Sequence, residues 1–279
     1  MKPSRELDVT SPFGAHPLPA VAGALWQAAT WPWPPGMKRR LRRIARRRHG
    51  PFDVTVEDDG RPLHFRAWPA ENYCDRVLVG QGRLPEPDEH AMLRPHLAPD
   101  MTFVDVGGNV GAYSVFVGVH APNARILALE PHPRTAAKLR FNLAANGIDA
   151  TVNEAGAGEA EGQMELWSDG GGNIGQTSLL PEATSNAKVA VAVRVAPLLD
   201  LVRESGIERI DLMKLDIEGF EDRALAPFLA SAPEALLPRA ILLEVEHAAL
   251  WKTALFARLE ERGYVASGST HQNRLYLRP

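Results

Sequence analysis

The 279-residue chain has 45% apolar and 23% charged residues, which excludes a disordered or fibrous protein and leaves room for one large domain or two small ones. Its single cysteine, Cys74, excludes a disulfide framework and a cysteine-rich zinc site, and fits a reducing cytoplasm. The formal charge of −3 conceals an asymmetry, because residues 38–48 hold eight basic groups and no acid, so that the remainder stands at −11.

Residues 1–50 read as an extension apart from the main body. They carry seven of the 23 prolines, three of the six tryptophans and the whole arginine run. Such a segment is a solvated tail, a helix packed on the body, or a peripheral contact for an anionic surface, lipid or nucleic acid. The apolar stretch at 17–33 is broken by prolines and Gln27, so it predicts no transmembrane helix. The basic cluster follows that stretch instead of preceding it, which argues against a secretory signal and for a cytoplasmic protein.

A second unit, 51–98, opens with a β-hairpin. Val54 and Val56 alternate with polar residues, Asp58-Asp59-Gly60 is a turn signal, and Leu63 and Phe65 alternate again. A short helix is expected over 87–97. The third unit, 99–279, alternates strand and helix. Strands are expected at 102–106, 125–129, 150–154, 210–215 and 240–245, with helices at 111–119, 133–146, 219–229 and 250–262. Two last strand-like pieces, 264–266 and 274–277, predict a terminal hairpin with an antiparallel edge strand. The alternation argues for a mostly parallel sheet covered by helices on both faces. Between the third and fourth strands, residues 164–167, a glycine-rich run at 170–175 and the β-prone 188–195 predict a hairpin insertion. Its tip, 170–178, is expected to be a mobile cover over a ligand pocket.

The sharpest chemical signal is Phe103-Val104-Asp105-Val106-Gly107-Gly108-Asn109-Val110-Gly111. An apolar strand ends in an acid, a glycine turn follows, and a helix begins. Glycines let the backbone approach a ligand, and the N–H groups of a helix start attract anionic groups. A dinucleotide-binding loop is the first rival, but the spacing is G-G-x-x-G, not G-x-G-x-x-G. Asp105 would also repel a pyrophosphate, whereas it attracts the ammonium of an amino acid. Glu130 ends the next strand, 19 residues beyond Gly111, where an acid accepts both hydroxyls of a ribose. A ribose and an amino-acid tail are the two ends of S-adenosylmethionine.

These residues resemble the FkbM-type S-adenosylmethionine-dependent methyltransferases. Four blocks carry the likeness: DVGGNVG at 105–111, EPHP at 130–133, KLDIEGFE at 214–221 and LEVE at 243–246. The third is the most specific. The likeness runs from about residue 82 to 246 and leaves the N-terminal extension unexplained. Two departures stand out: Gly108 where the family usually has alanine, and Leu198-Leu199-Asp200 where it has Leu-Asp-Asp. The resemblance implies a Rossmann-like class I methyltransferase fold with a mostly parallel seven-stranded sheet. It places Asp105, Gly107, Gly108, Asn109 and Gly111 around the methionine part of the cofactor and Glu130 at the ribose. It sets Glu154 and Ala155 near the adenine and Glu86, from an approach segment at 82–87, near the cofactor. His132 either covers the adenine or caps a helix. Asp216 falls at the switch region of the sheet, with Glu218 and Glu221 following on the turn and first helical positions. The implied reaction is O-methylation of a small molecule or glycan, of secondary-metabolite, sugar or polyketide type.

A hydroxyl acceptor must lose its proton as the new bond forms. Asp216, Glu218, Glu244, Glu246 and His247 are the candidates at the carboxyl edge, with His247 the best suited by intrinsic pKa. The alternative is Mg²⁺ held by Asp216 and Glu244 with Glu218 or Glu246 as a third ligand; the metal-free reading is favoured. A nucleic-acid methyltransferase gripping phosphates with the arginine arm is disfavoured, because no Asn-Pro-Pro-aromatic block follows the fourth strand and a body at −11 repels a polyanion. An NAD(P)-binding module has the wrong glycine spacing. Neither the acceptor nor the oligomeric state is written in the sequence.

Overall fold

A computed structural model describes residues 7–168, 177–184 and 188–279. Near the N-terminus, prolines divide the chain into two helices, α1 (Ala20–Thr30) and α2 (Pro35–Ala45). Pro19 precedes the first and Pro35 opens the second, positions where the missing N–H would have had no helical partner. Of the readings open for this segment, packed helices are what is observed. Trp26 is fully buried and its indole Nε1 donates to the Arg48 carbonyl at 2.7 Å. Upstream, the chain wraps a buried ion pair: Arg66 Nε lies 2.6 Å from Asp53, and the same guanidinium donates to the Ser11 and Pro12 carbonyls. Asp53 also accepts N–H groups from Gly14 and His16. A buried pair with its other groups satisfied in this way fixes the register of the arm against the strand carrying Asp53.

The expected hairpin forms from β1 (Phe52–Asp58) and β2 (Arg61–Ala67), with Phe52 opposite Ala67. Its turn residues Asp59 and Gly60 both have positive φ, 51° and 71°, the conformation that matches strand twist in two-residue turns. A helix that the sequence did not predict follows, α3 (Tyr73–Gln81), capped by Asn72, whose side chain accepts from the Cys74 N–H at 2.8 Å. The helix expected over 87–97 is α4 (Pro87–Leu93), continued by a single 3₁₀ turn.

The large sheet begins with β3 (Thr102–Val106), α5 (Ala112–His120), β4 (Arg125–Leu129), α6 (Pro133–Ala145) and β5 (Ala150–Asn153). The chain then leaves it. The strand expected at 150–154 breaks at Glu154, and β6 (Ala155–Gly158), β7 (Gly162–Ser168), β8 (Thr177–Ser178) and β9 (Lys188–Pro197) build a second, four-stranded sheet in the order β6-β9-β7-β8. The predicted hairpin is present as the antiparallel pair of β7 and β9, but β6 joins it in parallel. The glycine-rich run 170–175 lies outside the described residues.

The chain returns through α7 (Leu198–Glu204), β10 (Leu212–Leu215), α8 (Glu221–Ser231), β11 (Ala240–Glu244), α9 (Leu255–Glu261), β12 (Val265–Ser269) and β13 (Asn273–Leu277). The large sheet has seven strands in the order β12-β13-β11-β10-β3-β4-β5. It is parallel from β11 to β5 and closes on the antiparallel terminal hairpin, as expected. Side chains alternate across it: Phe103 joins Phe116, Leu139 and Trp26 on one face, while Val104 joins Met213, Phe228 and Leu259 on the other. The last helix starts at Leu255 and not at 250. Asp222 Oδ2 accepts the N–H groups of Lys252 and Thr253, which holds that stretch outside the helix.

Candidate active site

The chain runs outward from β3 through β4 to β5 and comes back to β10 on the other side of β3, so the strand order reverses between β3 and β10. Open α/β sheets bind ligands in the crevice beyond the carboxyl ends of such strands. After Val106 the chain turns through Gly107 and Gly108, whose N–H groups both donate to the Leu129 carbonyl, at 2.9 and 3.0 Å. Gly107 has a φ of 84°, and a Cβ there would come within 2.0 Å of the Asp216 carbonyl oxygen. Only glycine lets the two strand ends meet this closely. Gly111, at a φ of 90°, opens α5 against Leu139.

A pocket opens above this turn. Gly107, Gly108 and Asn109 form its floor, and Glu130 and Ala155 stand beside them. Glu86, Asp216 and Glu218 line the same pocket. Glu130 is buried, and its two oxygens accept the N–H groups of Asn109 and His132, each at 2.9 Å. Burial pushes its carboxyl up to about 7, against the opposing pull of those two amides. The Asn109 side chain is held as well: its Oδ1 accepts from Asn72 Nδ2 at 2.6 Å.

Other expected residues stand off the wall. Asp105 is fully buried behind the turn, accepts from Ser114 Oγ at 2.6 Å and faces Lys214 Nζ at 3.7 Å; its Oδ1 has no hydrogen-bond partner. Parallel pairing sets Asp105 directly opposite Lys214, which directs the carboxylate to that ammonium. His132 accepts the Arg134 N–H at 3.2 Å and so caps α6, the second of its two expected roles. Glu154 sits at the break between β5 and β6 and pairs with Arg140 outside the pocket, leaving Ala155 alone on the wall.

Sequence reasoning gave Lys214 no role, although the residue stands in the third block. Its buried ammonium donates to the Gly107 carbonyl at 2.9 Å and lies 3.3 Å from Asp216 Oδ2. Burial alone would lower its pKa, but the carboxylates of Asp216, Asp105 and Glu86 outweigh burial and raise it, so the cation persists. Tyr113 was missed as well: its hydroxyl donates to Glu86 at 2.6 Å. Burial and then the Asp216 charge push the Glu86 carboxyl up to about 7, against Tyr113 and Lys214. Tyr73 and Cys74 reach the pocket from α3, which carries no local signal of a site.

The mouth is acidic. Glu218, at a φ of 56°, donates its N–H to Glu244 at 3.2 Å, and its carboxylate lies 3.2 Å from His247 Nε2. That hydrogen bond raises the His247 pKa, while burial raises the Glu218 carboxyl against the pull of the imidazole. His247 stands behind Glu218, off the pocket wall. Glu221 shapes the turn: one oxygen accepts the N–H groups of Ile217 and Gly219, and the other takes the Trp251 indole. Ligating atoms of Glu218, Glu244 and His247 all lie within 4.8 Å of one another, a set able to hold a cation. A ring nitrogen in that set suits Mg²⁺ poorly, since this ion takes oxygen ligands and water. Chemically, the pocket offers a buried carboxylate for paired hydroxyls, an apolar flank of Leu129, Ala155, Leu166 and Leu179 for a flat ring, and carboxylates at the mouth to take a proton.

A sequence profile of the Methyltransferase FkbM domain matches residues 105–266. Methyltransferase sdnD of Sordaria araneosa is 28% identical over 206 residues, covering 63% of this chain and 78% of that protein. The 31-O-demethyl-FK506 methyltransferase FkbM of Streptomyces tacrolimicus is 27% identical over 156 residues, which is 47% of this chain and 60% of that protein. Among solved structures, fibrillarin of Aeropyrum pernix with natively bound S-adenosyl-L-methionine aligns at a TM-score of 0.44 and 13% identity, over 80% of this chain and 81% of that one.

Proposed function

This chain belongs to the FkbM family of S-adenosylmethionine-dependent methyltransferases, and on that premise we propose that it methylates a hydroxyl oxygen of a small molecule or glycan of secondary-metabolite, sugar or polyketide type. The observation that carries this reading is the convergence on one pocket of Glu130 with the glycine turn and of the acidic mouth around Glu218. The name of the Streptomyces relative, which places the missing methyl on an oxygen of FK506, supports oxygen as the acceptor atom.

The residues present fit the methyl donor. Each Glu130 oxygen accepts one amide N–H, leaving a second lone pair on each for a ribose hydroxyl. Leu129, Ala155 and Leu179 offer an apolar flank to the adenine. When bound, S-adenosylmethionine supplies an electrophilic methyl group on a sulfonium sulfur, so the chain has to contribute alignment and a proton acceptor. Asp216, held by Lys214, orients the acceptor hydroxyl. Glu218 takes the proton at its carboxylate and passes it to His247 Nε2, which is 3.2 Å away and reaches solvent.

Turnover on a panel of hydroxylated acceptors tests the reading. Glu218→Gln is expected to lower kcat about a hundredfold or more, the scale of general base catalysis, with cofactor affinity unchanged. Activity should rise with pH through a value above that of an ordinary histidine, because the proton relay needs His247 neutral and Glu218 holds its proton on. Wild-type turnover in Glu218→Gln would remove that residue from the role. Exhaustive EDTA treatment is expected to leave activity intact; loss on chelation and recovery with Mg²⁺ would reassign Glu218, Glu244 and His247 to a cation.

A further inference from the structure

We propose that α2 and the turn before it dock the protein on an anionic phospholipid bilayer. The helix has no acid in its first turn; Ala45 is buried and Leu41 packs against the core, while Met37, Arg39, Arg40, Arg43 and Ile44 face outward. Among the described residues, Lys38, Arg39, Arg40, Arg43, Arg47 and Arg48 form no ion pair with a carboxylate. These unpaired cations stand on a chain whose remainder is at −11, so only this face is drawn to a negative surface and the rest is turned away from it.

Charge alone would suit any polyanion; the apolar side chains select among them. Five of the seven large hydrophobic residues exposed among the described residues lie between 21 and 44: Val21, Trp31, Trp33, Met37 and Ile44, at 40% to 64% exposure. Met37 and Ile44 are two turns apart and share one side of α2. Trp33 is pinned at the surface by its Nε1, which donates to the Ala28 carbonyl at 3.0 Å. A phosphate grip on nucleic acid uses the arginines and leaves exposed Met37, Ile44 and Val21 without a partner. A bilayer interface takes both, because tryptophan and aliphatic side chains enter the acyl boundary while arginines meet the headgroups.

On the neighbouring helix α3, Arg76 lies 5.7 Å from the ring of Tyr73, one of the residues that line the pocket. The inference does not depend on which acceptor is methylated.

Co-sedimentation of the full chain with vesicles of phosphatidylcholine and phosphatidylglycerol, against vesicles of phosphatidylcholine alone, tests it. Partitioning only to the anionic vesicles is expected, with tryptophan emission quenched by brominated acyl chains. Each charge removed should lower partitioning about fivefold, so the triple variant Arg39→Gln, Arg40→Gln, Arg43→Gln should lose about a hundredfold. Met37→Ser with Ile44→Ser should also weaken binding at constant charge. Both variants should keep wild-type affinity for S-adenosylmethionine, since none of these residues lines the pocket. Absence of sedimentation, equal sedimentation with neutral vesicles, or binding indifferent to Met37 and Ile44 would overturn the proposal. Tighter binding to duplex DNA than to anionic vesicles in the same salt would overturn it in favour of nucleic acid.

Discussion

Replacement of Glu130 probes the pocket most sharply, because the side chain has two separable tasks. It holds the turn through the Asn109 and His132 amides, and it offers its remaining lone pairs to the ligand. Glu130→Ala strips both buried N–H groups of their acceptor, at about 1–3 kcal/mol each if water does not replace it. Glu130→Gln keeps one acceptor oxygen and removes the charge, so the fold suffers less while the ligand still loses a charge-assisted hydrogen bond. That bond is worth about 1.5–3 kcal/mol, which corresponds to a rise of roughly ten- to a hundredfold in Kd. Titration calorimetry with S-adenosylmethionine reads this directly, and urea denaturation of each variant separates loss of affinity from loss of fold. The pH dependence gives a second signature. With the carboxyl raised to about 7, ribose hydroxyls prefer its ionised form, so affinity should strengthen as pH rises toward neutrality and level off above it. For stability the sign is opposite: a carboxyl raised on folding favours the folded state below its ordinary value, and that contribution is lost as pH rises through about 7. Both slopes should be shallower in Glu130→Gln. Unchanged Kd in both variants would refute the assignment of Glu130 to the ribose.

Lys214→Met leaves Asp105 and Asp216 without the buried cation between them, and should cost about 3–5 kcal/mol in urea denaturation; a cost within error of zero would show that the ammonium is not needed there. Gly107→Ala should abolish cofactor binding, because its Cβ would overlap the Asp216 carbonyl, whereas Gly147→Ala, at a φ of 67° with open space around it, should cost only the backbone strain of about 1–2 kcal/mol. Equal effects of the two would deny the close approach at Gly107. Trp26→Ala should destabilise the fold by about 3–5 kcal/mol, and a negligible loss would show that the arm is only loosely attached.

The central turn was legible in the sequence because its signals are local. A mostly apolar strand carrying one acid, followed by three glycines within nine positions, specifies strand, tight turn and helix start without reference to the rest of the chain. Glu130 was legible for the same reason, as the acid at the end of the next strand. Asp105 was harder. Whether a carboxylate faces the ligand or lies behind the turn depends on the register of β3 against β10, which pairs it with Lys214, more than a hundred residues away in the chain. The same dependence hid Lys214, Tyr73 and Cys74, which come to the pocket through tertiary packing. Glu154 missed the wall because β5 and β6 belong to different sheets, a break that β-propensity does not mark. For the arm, composition left a solvated tail, packed helices and a surface contact all open; Pro19 and Pro35 start helices here, and burial of Trp26 against the body, which local composition does not mark, decides among them.

The most direct test of the account follows the methyl group itself. The purified protein is incubated with S-adenosylmethionine carrying an isotopically labelled methyl and with an extract of hydroxylated metabolites, and the labelled product is examined by NMR. The account predicts the label in a methoxy carbon, formed in step with S-adenosylhomocysteine and sharply reduced in Glu218→Gln. Label attached to nitrogen, carbon or sulfur, or cofactor consumed with no labelled product, would contradict it.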